Sequence, residues 1–446
     1  MKYSSDFWHS FVFLFIIMNA MKKRLFLFAT TVFLLFQIQA QSVLEQFRTD
    51  PGKSGGVYYA YPGPPQTSLT APPKGYKPFY ISHYGRHGSR YMLSDTDYTK
   101  LLNVLQSADS AHVLTDLGKE KLMQMQEIWA EAKGHTDELA PLGKRQHRGI
   151  AERMFRNYPQ VFTKAASLSA RSTTSLRCCL SMVAFCERLK ELNPSLYIDW
   201  DTSKSNMDYL NYHSKAFNDV KMGEDGWMQK LGQLNQEAQK NIGEIDPTRF
   251  VSQIFNDPEY GKKANPRSVM QAFYDVASDL QDMETPISFW DLFTPEELYS
   301  CWIGGNLWFY TGDANSPYNK GEAMASCRNL VENIIENADK AIAGEGESAT
   351  LRFGHDGNII PLAACLHLEG CDVSEADGGK ACDLWQNYHV SPMAANIQLV
   401  FFRKKGSDDI LVKFLLNEHE TSIPTLTTDV APFYHWKDVR AFLGGK

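Results

Sequence analysis

Apolar and polar positions alternate with two clear periods along this chain, and the change from one period to the other marks out its elements. A short apolar run at 79–82 has the length and content of a β-strand and leads straight into a charged, glycine-containing segment. At 95–111, 114–132 and 142–155 apolar residues return every three or four positions, as at Leu117, Met125, Ile128 and Trp129, which predicts three helices. Thr115 and Pro141 stand where helix starts are expected. A second strand is predicted at 167–170, followed by a loop and a helix over 176–192, and a third at 350–353. Near the C-terminus, 394–403 and 409–416 read as strands joined by a hairpin-like turn at 404–407.

Between these strand-bearing parts lies a long polar stretch with helical clusters at 269–280 and 324–342. The expected organisation is an α/β core over 41–192 and 345–446, a mostly parallel sheet flanked by helices, with 193–344 inserted as a mainly helical region. The stretch 52–78, dense in Gly, Pro and Tyr, reads as a loop or extended arm.

The first forty residues follow a different pattern. Two apolar runs, 7–18 and 25–36, are separated by Met21-Lys22-Lys23-Arg24. The second run, with its basic start and Ile38-Gln39-Ala40 at its end, has the three-part plan of a secretory signal, which predicts cleavage after Ala40, with either Met1 or Met21 as the start and a transmembrane hairpin or uncleaved anchor as the alternative. Both runs are short for a spanning helix, so the mature chain is expected in the periplasm or secreted, without stable membrane insertion. The eight cysteines, Cys365 and Cys371 near each other among them, permit disulfides in that compartment, but their pairing is not legible. No CxxC pair supports a structural zinc site.

Composition narrows the function classes. The 446 residues are 43% hydrophobic and carry a net charge of −7, with no long basic run in the body of the chain, which argues against a nucleic-acid partner. A polyanionic substrate would need positive charge concentrated locally. That concentration is present at the strand ends. Three strands each run into a charged or glycine-rich loop, and in open α/β sheets such loops converge on one crevice. Arg86, His87, Arg90, Arg171, His355 and Asp356 would meet there. Arginine offers a planar fork of donors to phosphate oxygens, imidazole is a nucleophile, and a carboxylic acid can protonate a leaving oxygen. The expected roles are therefore His87 as nucleophile, Asp356 as proton donor, and Arg86, Arg90, Arg171 and His355 as phosphate-binding groups. Lys144, Arg145 and Arg148 offer further positive charge, which a solvated helix face explains equally well.

Arg86-His87-Gly88-Ser89-Arg90 together with Gly354-His355-Asp356 resembles the acid phosphatase branch of the histidine phosphatase superfamily, over most of residues 79–440. Arg171-Ser172-Thr173, followed by Arg177, is similar to the segment that supplies that family's third phosphate-binding arginine. The segments Leu142-Gly143-Lys144-Arg145-Gln146, Leu292-Phe293-Thr294-Pro295-Glu296-Glu297 and Leu415-Leu416-Asn417-Glu418 resemble the multiple inositol polyphosphate phosphatases within that branch. Those proteins usually carry His-Ala-Glu where this chain has His355-Asp356-Gly357, a pairing found in phytases and general acid phosphatases. The resemblance implies an α/β domain with a helical domain over the site, a phosphohistidine intermediate, a small phosphorylated substrate such as an inositol or sugar phosphate, and no metal or other cofactor. A broad acid phosphatase and a non-catalytic phosphate-binding protein are the competing readings.

Two other motifs compete for attention. Asn417-Glu418-His419-Glu420 lacks the helical histidine pair of a zinc protease and fits a strand-to-turn segment. The aromatic cluster of Trp302, Trp308, Phe309 and Tyr310 is expected in the core rather than on a ligand.

Overall fold

The computed structural model describes residues 42–64, 68–163, 166–210 and 215–444. The expected secretory signal and its cleavage point lie outside them. No helix among the described residues is long and apolar enough to cross a membrane.

Eight strands form one sheet: β1 (Tyr76–Arg86), β2 (Ser167–Ser172), β3 (Tyr197–Asp201), β4 (Ala349–Gly354), β5 (Asn396–Lys404), β6 (Ile410–Leu416), β7 (His419–Thr421) and β8 (Phe433–His435). Their order is β3-β2-β4-β1-β5-β6-β7, with β8 also paired to β6. The sheet is mixed rather than mostly parallel. β1, β2, β3 and β4 run parallel, whereas β5 lies antiparallel to β1 and begins an antiparallel half that includes the expected hairpin. The turn chemistry of 404–407 allows only the short antiparallel connection, while helical crossovers serve the parallel half.

Neighbouring positions on the strands feed opposite faces. Tyr80, Tyr84, Leu399 and Phe401 join one core, and Ile81, Leu168, Phe353, Val400 and Phe402 join the other. A sheet covered on both sides explains why the central strands read as short continuous apolar runs. The helices Pro141–Asn157 and Leu176–Leu192 close one face through Ile150, Met154, Met182 and Phe185. On the other face lie Asp95–Ser110, Asp116–Ala132, Pro266–Leu280 and Pro295–Asp313. Thr115 caps its helix as expected, accepting from the Gly118 amide at 2.9 Å, and Pro141 opens the next.

Two elements differ from their sequence signal. β1 runs four residues beyond the apolar stretch, to Arg86, because the sheet pairs the backbone of the polar segment with β4 and β5. β3 lies within the range expected to be helical. It is a short edge strand whose Tyr197 and Trp200 side chains are exposed, so burial imposes no alternating pattern on it. From Lys204 to Ala343 every element of the described residues is helical.

All eight cysteines are free thiols. Cys365 donates to the Met324 carbonyl at 3.2 Å, and no bridge joins it to Cys371.

Candidate active site

The carboxyl ends of three parallel strands lie side by side. Arg86, the last residue of β1, is in register with Gly354 of β4, and Ser172 of β2 is in register with Phe353. The loop after β1 is pinned from both neighbours: the His87 amide donates to the Gly354 carbonyl at 2.9 Å, and the His87 carbonyl accepts from the Ala394 amide at 2.9 Å.

Below this loop is a dense polar support. The Ser89 amide donates to Gln146 Oε1 at 2.8 Å, Gln146 Nε2 donates back to the Ser89 hydroxyl at 2.8 Å, and that hydroxyl donates to Asp282 at 2.5 Å. The Gly88 amide donates to Ser181 Oγ at 3.1 Å. A methyl group on Gly88 would stand 2.6 Å from the Gly143 Cα, and one on Gly143 would stand 2.3 Å from the Ser89 carbonyl. The loop and the helix Pro141–Asn157 therefore touch backbone to backbone, which only two facing glycines permit. Burial pushes the Asp282 carboxyl well up and that of nearby Asp279 up to about 7.

A cavity of about 560 Å³ opens above the loop. His87, Arg90, Arg177 and Asp356 line its inner end. The His87 Nδ1 lies 2.9 Å from the Gly88 carbonyl. A carbonyl only accepts, so Nδ1 carries the proton and Nε2 keeps its lone pair. Burial, followed by the charges of Arg86, Arg177, His355 and Arg90, holds the imidazole well below its usual range and keeps it neutral.

Arg86 is fully buried, its Nη1 donating to the carbonyls of Val57 at 2.5 Å and Ser391 at 2.9 Å and its Nη2 lying 3.0 Å from Asp356. Arg90 donates to the Tyr91 carbonyl at 2.8 Å and lies over the Tyr58 ring, 4.7 Å from its centroid. Asp356 opens the helix Asp356–Cys365 and accepts from the Gly357 amide at 2.9 Å. Burial works to raise its pKa, but Arg86, His355, the Gly357 amide and Arg90 outweigh that and hold it below the usual carboxylate range.

Of the residues expected to bind phosphate, Arg86, Arg171 and His355 are not among those that line the cavity. Arg171 does not reach the cavity. Its position on β2 turns the side chain toward β3, where it donates to the Asp199 carbonyl at 2.7 Å and pairs with the Asp199 carboxylate at 2.5 Å. Arg177, in the first turn of the next helix, takes the cavity position, held by Asp137 at 2.7 Å and His355 Nδ1 at 3.3 Å. His355 Nε2 lies 3.0 Å from Thr173 Oγ1. His355 is buried behind Arg177, its ring centroid 5.6 Å from that of His87.

Arg145 and Arg148 form surface ion pairs with Glu284, Glu187 and Glu191, away from the cavity, and Lys144 is exposed. Glu418 is bound by Arg153 and Tyr61, and Glu420 by Lys413, so that acidic segment is structural. The aromatic cluster divides: Trp302 and Tyr310 are buried, while Trp308 and Phe309 line the cavity.

A crevice at the ends of parallel strands, holding a neutral histidine, buried arginines and a carboxylate, is the frame of a phosphoryl-transfer site. Residues 85–417 match the histidine phosphatase superfamily (branch 2), and the chain belongs to that family. It is a histidine acid phosphatase, a phosphoric monoester hydrolase. Among its relatives is multiple inositol polyphosphate phosphatase 1 of Gallus gallus, 22% identical over 345 residues that span 70% of this chain and 71% of that protein. The multiple inositol polyphosphate phosphatase of Bifidobacterium longum, solved in complex with inositol hexasulfate, superposes with a TM-score of 0.71 at 19% identity, covering 88% of this chain and 97% of that one. The phytase from D. castellii gives a TM-score of 0.63 at 14% identity, covering 88% and 84%.

Proposed function

We propose that the protein is an exported phosphomonoesterase that hydrolyses phosphorylated inositols or sugar phosphates through a phosphohistidine on His87. The observation that carries this reading is the tautomer of His87: with Nδ1–H donated to Gly88, the unprotonated Nε2 is available at a cavity lined by Arg90, Arg177 and Asp356. The kinship with inositol polyphosphate phosphatases and phytases supports the substrate class.

Nε2 attacks phosphorus as the ester P–O bond breaks, and Arg90, Arg177 and Arg86 stabilise the charge on the non-bridging oxygens. The leaving alkoxide takes a proton from Asp356. In the free enzyme Asp356 is ionised, so this proton arrives with the substrate: a phosphate monoanion transfers it to the carboxylate on binding. Water then attacks the phosphohistidine, giving its proton to Asp356, and the P–N bond breaks to restore neutral His87. Because the second ionisation of a phosphate monoester lies near pH ~6, turnover is expected to decline above it.

Rapid quenching during turnover of a radiolabelled ester tests the covalent step. An acid-labile, alkali-stable label on the parent and none on His87→Ala is the expected result. Phosphate release that survives His87→Ala would overturn the mechanism.

A further inference from the structure

The outer wall of the cavity carries a polar device that the phosphoryl chemistry does not use. Lys221, near the end of the helix Lys215–Met222, and Asp313, the last residue of Pro295–Asp313, both line the cavity. The Lys221 ammonium donates to both Asp313 oxygens at 2.9 Å, and each side chain is only 8% exposed. Gly312 makes the room for it: a methyl group there would stand 2.6 Å from Lys221 Nζ. The ammonium also lies 5.8 Å from the centroid of the Phe217 ring and 5.7 Å from that of Trp308.

The charged side chains among the described cavity-lining residues are thus divided. Arg90, Arg177 and Asp356 belong to the end where phosphorus is attacked. The other charged groups are Lys221 and Asp313, which cancel, and the remaining wall includes Phe217, Met222, Trp308 and Phe309. Burial holds the Asp313 carboxyl above its usual range even with Lys221 beside it, and Asp356 adds a repulsion that ties this pair electrostatically to the catalytic end.

We infer that the Lys221–Asp313 pair sets how much phosphate a substrate can carry beyond the group being removed. With its ammonium neutralised by Asp313, the far wall offers no net positive charge to a second or third phosphate and presents aromatic faces instead. The site therefore favours esters whose body reaches the wall as a ring with hydroxyl groups over rings phosphorylated at every position. This inference rests on the reading of the cavity as the phosphomonoesterase site and specifies its substrate class.

The experiment compares kcat/KM for inositol hexakisphosphate with kcat/KM for an aryl phosphate in the parent, Asp313→Asn, Lys221→Met and the neutral double variant Lys221→Met/Asp313→Leu. The hexakisphosphate-to-aryl ratio should rise about tenfold in Asp313→Asn and fall about tenfold in Lys221→Met, as one uncompensated charge acts across a partly solvated cavity. The double variant should return to within about threefold of the parent, because the wall is again neutral. A merely structural pair would shift both single variants in one direction or leave the ratio unchanged, and either result overturns the inference. Loss of the double variant's return to the parental ratio overturns it as well. His87→Ala is assayed alongside: if it still turns over either ester, the fault lies in the reading of the site rather than in the charge of its wall.

Discussion

Replacing Arg177 and Arg171 separately with alanine distinguishes the arginine that binds phosphate from the one that holds the edge of the sheet. The Arg177 side chain is 8% exposed, lines the cavity, and is aimed by Asp137 and His355. Removing a preorganised donor of this kind costs about 3–4 kcal/mol of transition-state stabilisation, or roughly 10²–10³ in kcat. The Arg171 side chain is 24% exposed and pairs with an Asp199 side chain that is 50% exposed. Such a pair is worth about 0–1 kcal/mol, so Arg171→Ala should change kcat/KM by less than about threefold. Steady-state kinetics on an aryl phosphate, with kcat and KM separated and the thermal midpoint recorded, measures both. If Arg171→Ala were as damaging as Arg177→Ala, or if Arg177→Ala stayed within about threefold of the parent, the assignment of the third phosphate ligand would be wrong.

Three other perturbations follow from the geometry. Asp356→Asn should lower kcat by about 10²–10⁴ on an alkyl ester and much less on an aryl phosphate whose leaving group needs no proton; equal losses on both would remove Asp356 as the acid. His83 and His147 are buried beside Phe353 and held at pKa values of about 3 and about 4, against a usual 6.5, chiefly by burial. The unfolded chain takes up their protons first, so stability falls as pH drops from about 6.5 toward 4, by about 3 kcal/mol for His147; a thermal midpoint followed against pH should flatten in His147→Leu, and an unchanged slope would contradict this. Gly88→Ala drives a methyl group onto the backbone of Gly143 and should cost about 1–3 kcal/mol together with most of kcat, whereas Gly232→Ala, with open space at its Cβ, should be neutral or slightly stabilising.

The candidate residues for phosphoryl transfer were legible because that chemistry restricts them to a few types at strand ends. Arg86, His87, Arg90 and Asp356 stand together as their motifs imply. Arg171 shows the limit of this reasoning. A strand turns successive side chains to opposite faces, so standing at a strand end says little about facing the crevice, and although the helix over 176–192 was legible, the side of it that faces the crevice was not. His355, expected beside the phosphate, is buried next to Arg177. Ser181, Asp282 and Thr173 support the loop or His355 from distant parts of the chain, and no local pattern announces such contacts. The Lys221–Asp313 pair spans 92 positions and was equally hidden. The antiparallel half of the sheet was visible only as one hairpin, and β3 had no signal because little of it is buried.

The groups proposed to handle phosphorus lie at strand ends or in the first turns that follow them, whereas Lys221, Phe217, Trp308 and Asp313 belong to helices between β3 and β4. A substitution in those helices can alter which ester is accepted while the nucleophile, its tautomer and the phosphate clamp keep their positions. The reacting end and the helical wall of the cavity are therefore separable by substitution, because they are built from different stretches of the chain.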